Sequence, residues 1–148
     1  MITLLILIGS FAVLFLLKRA GYTQRSNREL ANYSMAFFLV FFGLSHFYKK
    51  SELMMILPSW VPFPEFVVYV TGVIEIVFAI GLLFERTRRV TGVLVALFFV
   101  AILPANVHKA INDLEISGAM SSTFLSWVRL FFQPIFIVWV LYSSKKQN

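Results

Sequence analysis

The sequence predicts an all-α, polytopic membrane protein of five helices, and three observations predict it. Of 148 residues, 59% are hydrophobic and 17% aromatic, while only 14% are charged, far from the profile of a soluble domain. Several apolar segments approach the roughly 20 residues that a helix rising ~1.5 Å per residue needs to cross a hydrocarbon core about 30 Å thick. None of these segments alternates polar with apolar as a lipid-facing barrel strand does, whereas a helix satisfies its own backbone in a bilayer.

The first segment, Ile2 to Leu17, has no basic residue ahead of it and no small-x-small site after it. Lys18 and Arg19 come immediately afterwards, so it reads as a retained anchor rather than a cleaved leader. The second runs from Asn32 to Phe47, the third from Glu65 to Phe84, the fourth from Val90 to Asn106 and the fifth from Thr123 to Tyr142. Pro104 lies in the fourth and Pro134 in the fifth; each removes one backbone donor and is expected to bend its helix. The connection Tyr48 to Pro64 holds "SELMMILPSWVPFP", in which Pro58, Pro62 and Pro64 oppose a regular helix and Trp60 and Phe63 suit the membrane interface. It reads as a lid over a pocket mouth or as a loop anchored at the headgroups. The chain is taken as a single membrane domain over 1–148.

A net charge of +6 can signal a nucleic-acid partner, but here the placement of the basic residues has a simpler meaning. With five spans, Lys18, Arg19, Arg25, Arg28, Arg86, Arg88, Arg89, Lys145 and Lys146 fall on one side, and Lys49, Lys50 and Lys109 on the other. The bias of basic residues to the cytoplasmic side then predicts an N terminus outside and a C terminus inside. With no cysteine in the chain, thiol exchange, thiolate metal sites and iron–sulfur ligation are excluded.

Polar and ionisable residues inside spans are costly and normally face the bundle interior, where they pair. Here they are His46, Glu75, His108 and Arg129, with the amides Asn106 and Gln133. Glu75 falls ~15 Å from either surface, Arg129 ~10 Å below the outer surface, and His46 and Asn106 ~5 Å below it. The set is thus expected in the outer half of the membrane, with none in the inner half. Gly72, Glu75 and Ala79 share a stripe, as do Gly92, Ala96, Phe99, Leu103 and Asn106, and Ser122, Ser126, Arg129, Gln133 and Phe136. Small residues beside polar ones mark helix contacts. Glu75 is expected to pair with Arg129. The pair reads either as a device for helix register or as part of a polar pocket formed with His46, Asn106 and Gln133. His46 and His108 together would also allow bis-histidine haem ligation, which no spacing motif supports.

From about Leu30 to Tyr142 the chain resembles the DoxX-like family of small bacterial membrane proteins. The resemblance rests on "GLSHF" (Gly43 to Phe47), "LPSWVPFPEFVVYVTGVIEI" (Leu57 to Ile76), "GLLFERTRRVTG" (Gly81 to Gly92), "LPANVHKA" (Leu103 to Ala110) and "VRLFFQP" (Val128 to Pro134), in this order. It implies a four-helix bundle over residues 30–142, with the segment 2–17 as an extra N-terminal transmembrane helix. It also implies that His46, Glu75, Asn106, Arg129 and Gln133 are the recurrent polar positions. The expected function is a redox-associated subunit of the bacterial cytoplasmic membrane, without catalytic activity of its own. It would bind a small amphipathic molecule such as a quinone and serve a membrane or periplasmic redox protein. The alternatives are an assembly or scaffold protein with no ligand, and a small-molecule transporter. No phosphate loop, activated nucleophile or dense metal-ligand cluster is apparent.

Overall fold

The computed structural model describes residues 2–112 and 123–145, the side chains of 2, 123–126 and 129 excepted. The described chain is helical without strands: α1 (Ile2–Arg19), α2 (Asn27–Tyr48), α3 (Lys50–Ile56), α4 (Pro64–Leu83), α5 (Glu85–Ala101), α6 (Leu103–Ile111) and α7 (Thr123–Ser143).

Local chemistry explains most of the boundaries. After α1, Gly21 takes φ 83°, and its N–H donates to Lys18 while that of Tyr22 donates to Leu17. This double closure is the Schellman stop, which favours glycine because a Cβ is penalised at positive φ. α2 opens with a reciprocal cap: the Glu29 amide donates to Ser26 Oγ at 3.3 Å and the Ser26 amide to the Glu29 carboxylate at 3.0 Å. α3 ends at Leu57, whose extended backbone is what the next residue, a proline, demands. Pro64 occupies the first turn of α4, where a missing donor costs nothing.

Two features differ from the sequence-based expectation. The connection after α2 contains the short helix α3, because its prolines begin only at Pro58, beyond that helix. The fourth segment is broken at Ile102, which separates α5 from α6; Pro104, which cannot donate back to the preceding turn, lies directly after the break. α7, by contrast, runs through Pro134 without interruption.

Among the described residues, three helices are long and apolar enough to cross a membrane: Asn27–Tyr48, Pro64–Leu83 and, taken across the Ile102 break, Glu85–Ile111. A shorter apolar stretch occupies Leu130–Ser143. α2 is the central element, half buried, while α4 and α5–α6 bury little more than a quarter of their residues. Their outer faces carry Val73, Val77 and Ile80, and Val93, Leu97 and Val100, all exposed. Water would disfavour such continuous apolar faces and hydrocarbon accepts them, which is the build of a membrane protein.

α4 packs on α2 along its length, α1 and α7 also rest on α2, and α5 sits between α4 and α7. The core is aromatic where α2, α5 and α7 meet: Phe38 lies 5.1 Å from Phe136 and 6.5 Å from Phe99, measured between ring centres. Glycines set the α2–α4 spacing. A Cβ on Gly43 would stand 2.9 Å from the Gly72 carbonyl oxygen, and one on Gly72 would stand 2.7 Å from His46 Cβ. Only hydrogen at both positions lets these backbones approach so closely.

Candidate functional site

The glycine contact brings His46 and Glu75 together. Gly43 and His46 lie one turn apart on α2, and Gly72 and Glu75 one turn apart on α4, so closing the backbones at the glycines juxtaposes the two titratable side chains. His46 Nε2 is 3.7 Å from Glu75 Oε2. His46 Nδ1 lies 2.9 Å from the Val68 carbonyl oxygen and 3.1 Å from Thr71 Oγ1. A carbonyl only accepts, so Nδ1 carries the proton, and in a neutral ring Nε2 then offers a lone pair to Glu75. Two lone pairs face each other across a gap too long for a hydrogen bond. Either the pair shares an added proton or a third group must donate to both.

Glu75 is 6% exposed, and among the described residues its Oε2 has no hydrogen-bond partner. The expected partner Arg129 lies on α7, and its side chain is outside the described residues, as are those of Ser122 and Ser126 on the same predicted stripe. Among the described residues, the group that faces Glu75 is His46.

The two amides form a second polar contact. Asn106 Nδ2 donates to Gln133 Oε1 at 3.4 Å, and Gln133 Nε2 donates to the Phe99 carbonyl. Phe99 lies in the last turn of α5, directly before the Ile102 break, so Gln133 ties a carbonyl at a disrupted helix end to α7. Gln133 is buried. Among the described residues no hydrogen bond or ion pair joins the His46–Glu75 contact to the Asn106–Gln133 contact.

His108 donates from Nδ1 to the Ile56 carbonyl at 3.0 Å, which fastens α3 to α6. Ile56 and Pro58 are buried, whereas Trp60 is 72% and Phe63 79% exposed. The expected lid is thus pinned by its first half, and its aromatics point outward. Among the described residues no group of three His, Asp or Glu is arranged to hold a metal.

The expectation of no polar residue toward the other end requires correction. Asn32, near the start of α2, is fully buried; its Nδ2 donates to the Leu82 carbonyl at 2.6 Å, and its Oδ1 has no partner among the described residues. Arg88 Nε donates to the same carbonyl at 3.1 Å and Thr87 Oγ1 to that of Gly81 at 2.7 Å. These groups cap the last carbonyls of α4, which no intrahelical donor can reach. Starting the second helix at Asn32 makes that amide an edge residue. The Ser26–Glu29 capping pair is the signal that the helix starts more than a turn earlier.

The family model described as Domain of unknown function (DUF8561) matches residues 35–144, from within α2 to just beyond α7. No curated protein and no solved structure matches the chain. The match spans well over half of the sequence, and the protein belongs to the DUF8561 family.

Proposed function

We propose that the protein is a DoxX-like integral protein of the bacterial cytoplasmic membrane that binds a small amphipathic molecule, such as a quinone, in a polar pocket in the outer half of the bilayer. In this reading α2, α4, α5–α6 and α7 form the four-helix bundle and α1 crosses the membrane in front of it. The family match begins at residue 35 and leaves α1 outside it, which supports the division. The basic residues from the end of α1 to the start of α2, in the first turns of α5 and after α7 support an external N terminus and a cytoplasmic C terminus. Lys109, counted as an outer surface residue, is buried in the last turn of α6, so only Lys49 and Lys50 remain on the outer side of that count.

The observation that carries the binding reading is a Glu75 oxygen and a facing histidine nitrogen that have no donor among the described residues. With an added proton on His46, a hydroxyl placed about 2.8 Å from each would accept from Nε2–H and donate its own proton to the carboxylate, and a quinol head or a comparable phenol supplies that group. His46 and Glu75 would orient the ligand and hold the proton at its oxygen, and the phenylalanine-rich walls would take its apolar part. The protein would act without catalysis of its own, serving a membrane or periplasmic redox partner.

The test is purification of the whole chain in mild detergent, then solvent extraction and thermal melting with and without a short-chain ubiquinol analogue kept reduced. A co-extracted quinone and a rise in Tm of several degrees on adding the analogue are expected, with both lost in Glu75→Gln. No co-extracted molecule and no shift in the wild type would leave the assembly reading, in which the His46–Glu75 contact only sets the register of α2 on α4.

A further inference from the structure

A concavity lies on the flank formed by α1 and α7, away from His46 and Glu75. Both helices rest on α2, and they meet each other through the edge-to-face rings of Phe11 and Trp139 at 5.4 Å. Two helices leaning on a third without packing along their own length leave a furrow between them. It encloses about 520 Å³, and Phe11, Ala31, Pro134, Val138 and Trp139 are among its walls. The Trp139 indole N–H is already committed to the Ala31 carbonyl at 2.9 Å, so this part of the wall offers hydrocarbon and no open donor.

Only one end of the furrow is polar, where Asn27 and Tyr142 line it, and both are held by cations. Lys18 Nζ donates to Asn27 Oδ1 at 2.8 Å, and the Arg28 guanidinium lies 5.1 Å from the Tyr142 ring centre. The nearby acid, Glu29, is bonded to Arg25 at 3.0 Å and to its own helix cap. An apolar shaft opening on Lys18 and Arg28 matches one occupant in charge and in polarity. We propose that this furrow is a binding site for an anionic phospholipid, with one acyl chain along α7 and the phosphate at Lys18 and Arg28. The mouth shares its end of the molecule with Arg86, Arg88 and Arg89, the side on which anionic headgroups attract basic residues. The site does not depend on the quinone reading, because it shares no residue with it.

The experiment adds dioleoylphosphatidylglycerol or dioleoylphosphatidylcholine to the full chain in detergent, then measures melting and counts retained lipid by native mass spectrometry. The phosphatidylglycerol is expected to raise Tm by several degrees and to remain bound at least tenfold more tightly than the phosphatidylcholine. Lys18→Gln with Arg28→Gln abolishes that preference. Val138→Trp, which fills the furrow from an exposed wall position, weakens retention of both lipids at unchanged lipid-free Tm. Arg86→Gln with Arg89→Gln, on the same side but outside the furrow, changes neither. Equal effects of the two lipids, an equal loss in the Arg86/Arg89 variant, or a Val138→Trp protein that retains lipid as the wild type does would each overturn the proposal.

Discussion

The α2–α4 seam and the α1–α7 flank are both made of apolar helices, yet they are built in opposite ways. At the seam, Gly43 and Gly72 remove the side chains that would keep two backbones apart, and the polar groups of His46, Thr71 and Glu75 become neighbours. At the flank, Phe11 and Trp139 act as spacers, and a furrow is left whose polar groups stand only at its mouth. Side-chain size at the contact, more than hydrophobicity, decides whether a pair of helices seals or gapes. The seam isolates a carboxylate from lipid; the flank exposes hydrocarbon to it.

The largest effect should come from breaking the seam. Gly72→Leu drives a side chain into His46 Cβ and the Gly43 carbonyl, and a loss of about 3 kcal/mol or more is expected in detergent melting. Gly9→Leu on α1, where a Cβ meets nothing within 4 Å, should leave Tm unchanged. Equal losses in the two would show that the seam is not special.

Next in size is Gln133→Leu. It leaves the Phe99 carbonyl at the helix break without its side-chain donor and Asn106 without its acceptor, at an expected cost of about 1–3 kcal/mol, read by the same melting curves. Glu75→Gln should alter stability by roughly 1 kcal/mol or less, because it removes a buried charge whose contact with His46 is too long for a hydrogen bond. Its consequence is loss of the quinol-dependent shift.

The smallest effect is expected from Lys50→Met. Lys50 bonds the Glu65 carboxylate at 2.7 Å and lies 5.5 Å from the Tyr69 ring centre. The Glu65 hydrogen bond, with a smaller contribution from Tyr69, holds the ammonium above its usual pKa of 10.5. With a raised pKa, whatever the pair contributes is fully present below pH 10.5 and fades only above it. At neutral pH the exposed pair should leave Tm within error, and a clear drop would mean that α3 is clamped to α4 through this contact.

The helices were largely readable from the chain because membrane thickness imposes length, apolarity imposes class, and caps such as Ser26–Glu29 impose ends. The inward stripes were readable too: Gly72, Glu75 and Ala79 are all buried, as are Gly92, Ala96 and Phe99. The stripe through Leu103 was not, since the Ile102 break rotates α6 relative to α5 and leaves Leu103 exposed. Asn32 was not legible as a buried group because an amide near a helix end looks solvated until the neighbouring helix is known to end beside it.

By itself, the sequence determined that the protein is helical, where its long apolar segments lie, and that Glu75 and Gln133 turn inward. Helical periodicity carries that information, because it assigns each residue a face. Only the tertiary structure decided that His46 stands beside Glu75, that Gln133 serves the broken end of α5, and that a furrow separates α1 from α7. A neighbour across a helix interface depends on the height and rotation of both helices, and close contacts such as Gly43 against Gly72 set these only after folding.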